Sequence, residues 1–600
     1  MPCPQEGRRH DLGRPASLCP KPRQSSPALR QSRASPGLGS RPIWPILAAE
    51  ARDRRRGRMP QQGTGADAVA AALRAAGVAR LYGVPGGGSS LDLIEAARAR
   101  GLPFVLARQE TAAVIMAATE AELSGRPGAV IVTRGPGVGN AANGMAQASL
   151  DRAPVLLLAD GFAGAERAYA NHQFFDHAGM LAPVTKAAAR AVETGGAPGA
   201  MTASLLATAM AAPRGPVLLE LSAGAARAPA APLPAIAAAA PGAPPAGPAL
   251  DAARRLLAEA RRPVLVAGLE AAEPAACAAL RALAERLGGP VLVTYKAKGV
   301  LPDEHPLFGG VFTGGEAEAP LLREADLILL AGADPVEFIP QPWRYAAPVI
   351  DLGTAPRPLH YRAPAAALYG PLAPALGALA EDVARSAWDH GTIAEQRAAW
   401  RARLANAPGN GGVSPQAVVT VAAEACRAAG RDPRVTVDAG AHMFPCTSFW
   451  PARRPGDLLI SNGLATMGFA LPAGIAAALH DPTRGALAFT GDGGLLMALG
   501  ELATAAALGV KLTIVVFNDA ALSLIDIKKG GRDLPEDALA GPTADFAGVM
   551  RALGGIGLRA ADEAGYRAAL TEALAAPGPA LVDVRVDPGS YPAQIKALRG

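Results

Sequence analysis

The sequence predicts an α/β protein made of three doubly wound, mostly parallel-sheet domains. Three observations carry this. Short apolar runs alternate with Ala-rich helical stretches from about residue 66 onward. Half of the residues are hydrophobic, yet only 4% are aromatic, which speaks against an all-β chain. Tracts rich in Pro, Ala, Gly and Asn then cut the chain into three parts of similar size.

Residues 59–228 form the first unit. A helix-like run at 66–76 leads to a short strand at 79–83 and the turn Pro85-Gly86-Gly87-Gly88. LPFVLA (102–107) and GAVIVT (128–133) read as strands, each followed by a helix, and PVLLLA and PVLLEL add two more. The Pro/Ala tract 229–247 is a linker. A second unit, 248–390, carries RPVLVAG, GPVLVTY, ADLILLAG and APVIDLG, and 391–412 is a further linker. The third unit, 413–600, carries RVTVDAG, LLISN, GALAFTGD, VKLTIVVFN and ALVDVRV. The first and third units have the look of related folds.

The net charge of +6 belongs to the leader. Residues 1–58 hold thirteen Arg or Lys against four Asp or Glu, a net +9, so the remainder carries −3. The leader has no sustained period and reads as disordered. It also has the Arg- and Ser-rich character of a transit peptide, but regular structure begins right after Met59, which favours Met59 as the start. A basic segment that does not fold is no nucleic-acid surface. No apolar run reaches the length of a membrane span. The five cysteines, Cys3, Cys19, Cys277, Cys426 and Cys446, show no CxxC spacing, which points to reduced thiols in a cytoplasmic protein.

The most informative segment is TGDGGLLMALGELATAAALGVKLTIVVFND (490–519), read as strand, Gly-rich turn, helix, strand. Asp492 ends the first strand and Asn518, 26 positions later, ends the second. A right-handed crossover sets the two strand ends side by side, on the edge where open α/β sheets bind ligands. A carboxylate and an amide oxygen are hard donors suited to Mg²⁺, with phosphate oxygens filling further positions. Gly493 and Gly494 leave bare backbone N–H groups to face a diphosphate. The plain alternative is an ordinary βαβ unit with an Asp-Gly turn. GPGVGN (135–140) does not complete G-x-G-x-x-G, so a nicotinamide site has little support, and no HExxH, P-loop or G-x-S-x-G is present. Glu110, taken alone, reads as a first-turn helix carboxylate.

These motifs occur in order with GVPGGGSS (83–90), RQETAA (108–113), VTRGPGVGNAANGMAQASLDRAPVLLLAD (132–160), GPVLLEL (215–221) and NGLATMGFALPAGIAAAL (462–479). Together they resemble the acetolactate synthase group of thiamine-diphosphate enzymes, across about residues 62–590. The resemblance implies that 59–228 is a pyrimidine-binding domain, 248–390 a central domain and 413–600 a diphosphate-binding domain. It implies Mg²⁺ held by Asp492, Asn518 and the backbone carbonyl of Ala520. Cofactor contacts are expected from Gly86, Gly87, His442, Ala465, Met467, Gly491, Asp492, Gly493, Gly494 and Asn518. Met467 would bend the cofactor, the Ala465 carbonyl would receive the pyrimidine amine, and His442 would lie near the diphosphate. Glu110 would share a proton with the pyrimidine and so activate the thiazolium carbon.

The chain departs from that group at the substrate. Gln173 matches a substrate-side Gln, but His172 stands where Phe is usual, a place from which a His can donate a proton. Lys528 in LSLIDIKK (522–529) replaces a Trp. The central stretches AKGVLPDEHPLFGGVFTGG (297–315) and AGADPVEFIPQPW (331–343) lack the flavin-associated Met-His-Gly and Arg-rich run, so an empty, structural central domain is preferred over one holding FAD. The expected activity is decarboxylation of a 2-oxo acid with transfer of the acyl carbanion to a carbonyl acceptor. The alternatives are a simple 2-oxo acid decarboxylase or a catalytically silent cofactor-binding regulator. A homodimer or homotetramer is expected, with Glu110 from one subunit facing the metal residues of another.

Overall fold

The computed structural model describes residues 63–192, 196–230, 245–338, 342–357, 363–405, 411–541 and 544–599. The leader 1–58 and most of the first linker lie outside the described residues. Among those described there are three six-stranded sheets. The first contains β1 (Leu81–Val84), β2 (Phe104–Leu106), β3 (Gly128–Val132), β4 (Val155–Gly161), β5 (Ala187–Ala191) and β6 (Val217–Ser222), in the order β2-β1-β3-β4-β6-β5. The second contains β7 (Pro263–Ala267), β8 (Val291–Val293), β9 (Phe308–Val311), β10 (Leu327–Ala331), β11 (Val349–Gly353) and β12 (Ala366–Tyr369), in the order β12-β11-β10-β7-β8-β9. The third contains β13 (Arg434–Val437), β14 (Leu458–Ile460), β15 (Ala486–Gly491), β16 (Leu512–Asn518), β17 (Ile556–Ala560) and β18 (Ala580–Arg585), in the order β14-β13-β15-β16-β18-β17.

Every pairing within these sheets is parallel. The reason is in the strands. A parallel sheet is covered on both faces, so its strands are apolar throughout, and β4 is buried along its whole length. The first and third sheets share one strand order, as related folds would. The central sheet has the other doubly wound order, with its switch point between β7 and β10.

Small residues bring the layers close. A Cβ on Gly144, in the helix Pro136–Leu150, would fall 2.6 Å from Val114 Cβ in the helix Glu110–Ser124. Hydrophobic clusters cross the domains. One joins Tyr82, Val114 and Val130 to Leu471, Ile475 and Ile514, so the first and third sheets share a core. Another joins Leu265 and Leu292 to Val418 and Phe489. At the junction of all three, the buried Lys296 ammonium donates to Glu122 Oε2 (2.6 Å) and to the Ile460 carbonyl (3.3 Å). Arg152 Nε and Nη2 donate to the two Asp334 oxygens at 2.8 and 3.1 Å. None of the described helices is long and apolar enough to cross a membrane.

The switch point of the central sheet is filled by the chain's own carboxylates. Glu337 Oε2 accepts from the Leu269 and Asp334 amides at 2.9 and 3.0 Å, and Oε1 from the Thr294 hydroxyl. Glu270 accepts from the Thr354 amide (2.9 Å) and pairs with Arg357. Burial pushes the Glu337 carboxyl up to about 7. An acid whose folded value lies above its unfolded one destabilises the fold as pH rises from about 4.3 through 7, by roughly 3 kcal/mol for this shift. In Glu337→Gln the amide oxygen can still accept from both backbone N–H groups while its NH₂ faces Thr294. The variant should therefore gain stability over wild type at pH 8 and gain little at pH 5, as read by denaturant unfolding. An equal difference at both pH values would contradict the account.

Candidate active site

The carboxyl ends of β15 and β16 lie side by side, with Gly491 paired to Phe517. Asp492 and Asn518, one residue further along each strand path, therefore meet on one edge. Asp492 is buried, and its Oδ1 accepts from the Gly493 amide at 2.7 Å. Its Oδ2 has no hydrogen-bond partner among the described residues. Burial and the neighbouring Asp519 push its carboxyl up to about 6. Asn518 donates Nδ2 to Asp583 (2.8 Å), which fixes the amide and leaves its oxygen free of that bond. Ala520 sits at φ +56°, a left-handed conformation that costs a residue with a Cβ about 1 kcal/mol. Its carbonyl accepts from the Gly541 amide at 2.7 Å, which engages one of its two lone pairs.

The floor of this edge comes from residues 438–494. A Cβ on Gly493 would lie 3.0 Å from Leu522 and 3.5 Å from Met467 Cε, so those three residues share one surface. A Cβ on Gly494 would strike Asp438 Oδ2 at 2.6 Å. Asp438, which the sequence reading missed, is buried beneath the loop. It accepts from the Gly468 and Phe469 amides (3.2 Å each) and the Thr490 hydroxyl (2.9 Å). Burial outweighs these bonds and pushes its carboxyl up to about 6. Its only sequence signal is its place at a strand end, in TVDAG. Ala465 is left-handed at φ +53°. The His442 ring lies against Gly491, where a Cβ would be 3.1 Å away, and tilts over Phe517. Burial pushes His442 down to about 3, so the imidazole is neutral, and its Nε2 is buried without a partner.

The first sheet supplies the other half. Glu110 is buried at the start of its helix, and Asn140 Nδ2 donates to its Oε2 at 3.1 Å. A Cβ on Gly86 would lie 2.3 Å from both Asp160 and Thr133, whereas Gly87 faces open space. His172 and Gln173 are exposed, and Gln173 is left-handed at φ +58°. The buried histidine of that segment is His177, which the sequence reading passed over. Among the described residues four non-glycines have positive φ, and three of them, Gln173, Ala465 and Ala520, are positions the sequence had singled out. Strain of this kind gathers at functional sites.

Two contacts join the first and third domains near these residues. Glu501 Oε1 accepts from the Arg108 and Gln109 amides at 2.8 and 3.1 Å, just before Glu110. Asn143 Nδ2 donates to Thr466 Oγ1 at 2.9 Å, one helical turn after Asn140. Glu110 and the 465–467 loop are thus tied to neighbouring turns of the helix Pro136–Leu150. Glu501 lies in the motif segment, but nothing in its spacing marked it.

Comparison with known proteins matches this arrangement. Residues 63–180 match the N-terminal TPP binding domain of the thiamine pyrophosphate enzymes, residues 250–379 their central domain and residues 438–584 their C-terminal TPP binding domain. The chain is 32% identical to a probable 2-ketoarginine decarboxylase of Pseudomonas aeruginosa, over 82% of this chain and 88% of that protein. The chain belongs to the thiamine pyrophosphate enzymes. Other members include an acetolactate synthase of Bacillus subtilis, 28% identical over 87% of this chain and 93% of that one. The acetolactate synthase isozyme 1 large subunit of Escherichia coli is 29% identical over 87% and 94%. With both kinds of relative, the chain is a thiamine-diphosphate-dependent carboligase or decarboxylase.

The donors left over at the edge suit that cofactor. The buried Asp492 with its half-buried neighbour Asp519 offers oxygens that fit a cation, and a neutral His442 with an unpartnered nitrogen fits a phosphate oxygen. Among the described residues no three His, Cys, Asp or Glu cluster as a metal site. One carboxylate, one amide and one carbonyl completed by phosphate oxygens is a different kind of site. Asp492→Ala should weaken thiamine diphosphate binding in the presence of Mg²⁺ by more than about a hundredfold, measured by equilibrium dialysis. Unchanged affinity in that variant would remove the site from this edge.

Proposed function

We propose that the chain is a Mg²⁺-dependent enzyme that decarboxylates a 2-oxo acid and transfers the acyl carbanion to a carbonyl acceptor, in the manner of acetolactate synthase. The observation that carries this is a single sheet edge, with Asp492 and Asn518 on adjacent strands, facing a loop tied to the same helix as Glu110. Thiamine diphosphate, when bound, supplies the electron sink for the carbon that loses carbon dioxide. The chain's own residues do the rest. Asp492, Asn518 and the second lone pair of the Ala520 carbonyl hold Mg²⁺. The helix start at Gly491, Gly493 and Gly494, with His442 Nε2, borders the diphosphate, the Gly493 amide being held by Asp492 Oδ1, and Gly86 and Gly87 border the pyrimidine end. The Glu110 carboxyl, oriented by Asn140, holds the proton shared with the pyrimidine ring. The Ala465 carbonyl accepts the pyrimidine amine, and the Met467 side chain supports the bend.

Gln173 faces the 2-oxo acid in this reading, and His172 is placed to protonate the product carbanion. That His172 favours a second outcome, release of an aldehyde, which the 2-ketoarginine decarboxylase relative also favours. A silent regulator has little support while Glu110, Asp492 and Asn518 are all present. The central domain is structural in this reading, because Glu337 and Glu270 already take the backbone donors at its switch point. Buried, unpaired Cys277, Cys426 and Cys446 fit a reducing cytoplasm.

The purified protein, loaded with thiamine diphosphate and Mg²⁺, should release carbon dioxide from at least one of a panel of 2-oxo acids. Product identification separates ligated 2-hydroxy ketone from aldehyde. No release from the whole panel, with cofactor bound, would favour the regulator.

The working unit in this reading is a homodimer or a pair of homodimers, with each cofactor shared between two chains. Exposed Leu106, Leu496, Met497 and Ile525 around the carboxyl edges support it. Glu110→Gln and Asp492→Ala are each expected to be inactive. Mixed under conditions that exchange subunits, they should regain activity, since one site per mixed dimer pairs two intact residues. A mixture that exchanges and stays inactive would show that the cofactor is held within one chain.

A further inference from the structure

We propose that His177 is a positioning residue that sets the start of the helix Pro136–Leu150 against Glu110, and that it does so only as the neutral imidazole. The proposal rests on the reading of Glu110 as the carboxyl that shares a proton with the cofactor, and deepens it.

Gly135 caps that helix at φ +65°, and a Cβ there would lie 2.6 Å from the Gln173 carbonyl oxygen. The backbone is therefore pinned on one side. On the other, the Gly135 N–H donates to His177 Nε2 at 3.0 Å, and His177 is 1% exposed. An acceptor nitrogen carries no proton, so the ring proton sits on Nδ1. Nδ1 faces Glu220 Oε2 at 3.7 Å, too long for a hydrogen bond but close enough for charge to act.

The ionisable groups behind the ring come from three elements. Glu220 lies on β6. Arg190, on β5, donates Nε to Glu220 (3.0 Å) and Nη2 to Asp176 (2.7 Å), which precedes the helix His177–Leu181. Phe175 packs edge-on against the ring at 4.7 Å. Arg134, just before Gly135, stacks over Phe162 and lies 4.0 Å from Glu166. Burial works to raise the Glu220 carboxyl, but the nearby His177 ring and the bonded Arg190 outweigh it and hold it below its ordinary value.

The ring thus faces two partners. The Glu220 carboxylate lies before Nδ1, while Gly135 needs the lone pair of Nε2, where a second ring proton would go. Protonation points one N–H at another and releases the loop. The first turn of the helix after Gly135 touches Glu110 directly. A Cβ on Gly137 would be 3.5 Å from Glu110 Oε1, Asn140 donates to Oε2, and Thr111 beside Glu110 donates to the Asn140 carbonyl (2.6 Å). Release of Gly135 loosens the seat of the Glu110 carboxyl, so acid weakens cofactor binding.

The test uses the full chain, wild type, His177→Gln and His177→Leu. Gln can offer an acceptor oxygen near the Nε2 position and does not titrate; Leu offers none. Hydrogen exchange of peptides spanning 133–140 is followed by mass spectrometry from pH 5.5 to 7.5 and corrected for intrinsic rates. Wild-type protection should fall roughly fivefold toward acid, the loss of one hydrogen bond, while the Gln variant stays protected throughout and the Leu variant stays at the lowered level throughout. Thiamine diphosphate affinity with Mg²⁺ should show the same pattern. The proposal is overturned if wild type and the Gln variant share one pH profile, or if the Leu variant is as protected as wild type. A Leu variant that does not fold leaves the wild-type and Gln comparison to decide. Absence of cofactor binding in every protein would count against the functional reading instead, and the exchange data would still judge His177.

Discussion

The positions of the candidate residues depend on the docking of the first sheet onto the third. Glu110 and Asp492 belong to different sheets, and neither sheet alone carries both. The helix Glu110–Ser124 packs beside the helix Ala470–His480 through the shared core. Glu501 then uses one carboxylate oxygen to take the two backbone amides that precede Glu110. Those amides lie next to a helix start and need an acceptor when buried. Supplying it from the third domain makes the position of Glu110 a property of the interface between domains.

The second constraint is electrostatic. Asp438 and Asp492 are buried and Asp519 half-buried near one edge, and desolvation raises each carboxyl above its ordinary range. Asp438 is satisfied by backbone amides and a hydroxyl. Asp492 keeps an oxygen without a partner. An orphaned buried acceptor costs about 1–3 kcal/mol, which a bound cation at Asp492 would offset. In the central domain the buried Glu337 is instead satisfied from within, by the Leu269 and Asp334 amides and the Thr294 hydroxyl.

The fold class was legible in the sequence because its signals are local. Apolar strands such as 155–161, alternating with Ala-rich helices, specify a parallel sheet covered on both faces. The candidate residues on continuous motifs were legible too: Asp492 and Asn518 end consecutive strands, so a single crossover brings them together. The strained positions Ala465, Ala520 and Gln173 were named, but their left-handed backbone was not foreseen, since a residue with a Cβ gives no sign of it.

What the sequence determined by itself, then, was most of the strands, their parallel pairing and the residues at their carboxyl ends, all consequences of short-range pattern and chain handedness; the edge strands β5, β9, β12 and β17 were not legible in it. Tertiary structure decided which polar groups serve those residues. His177 and not the exposed His172 is the buried imidazole of its segment, and its bond to Gly135 joins positions 42 apart. Glu501 reaches Arg108 across 393 positions, and Asp438 reaches Gly468 across 30. These bonds arise from how helices and sheets dock, where burial forces each N–H to find whatever acceptor the neighbouring layer presents. No periodicity in the chain encodes that choice.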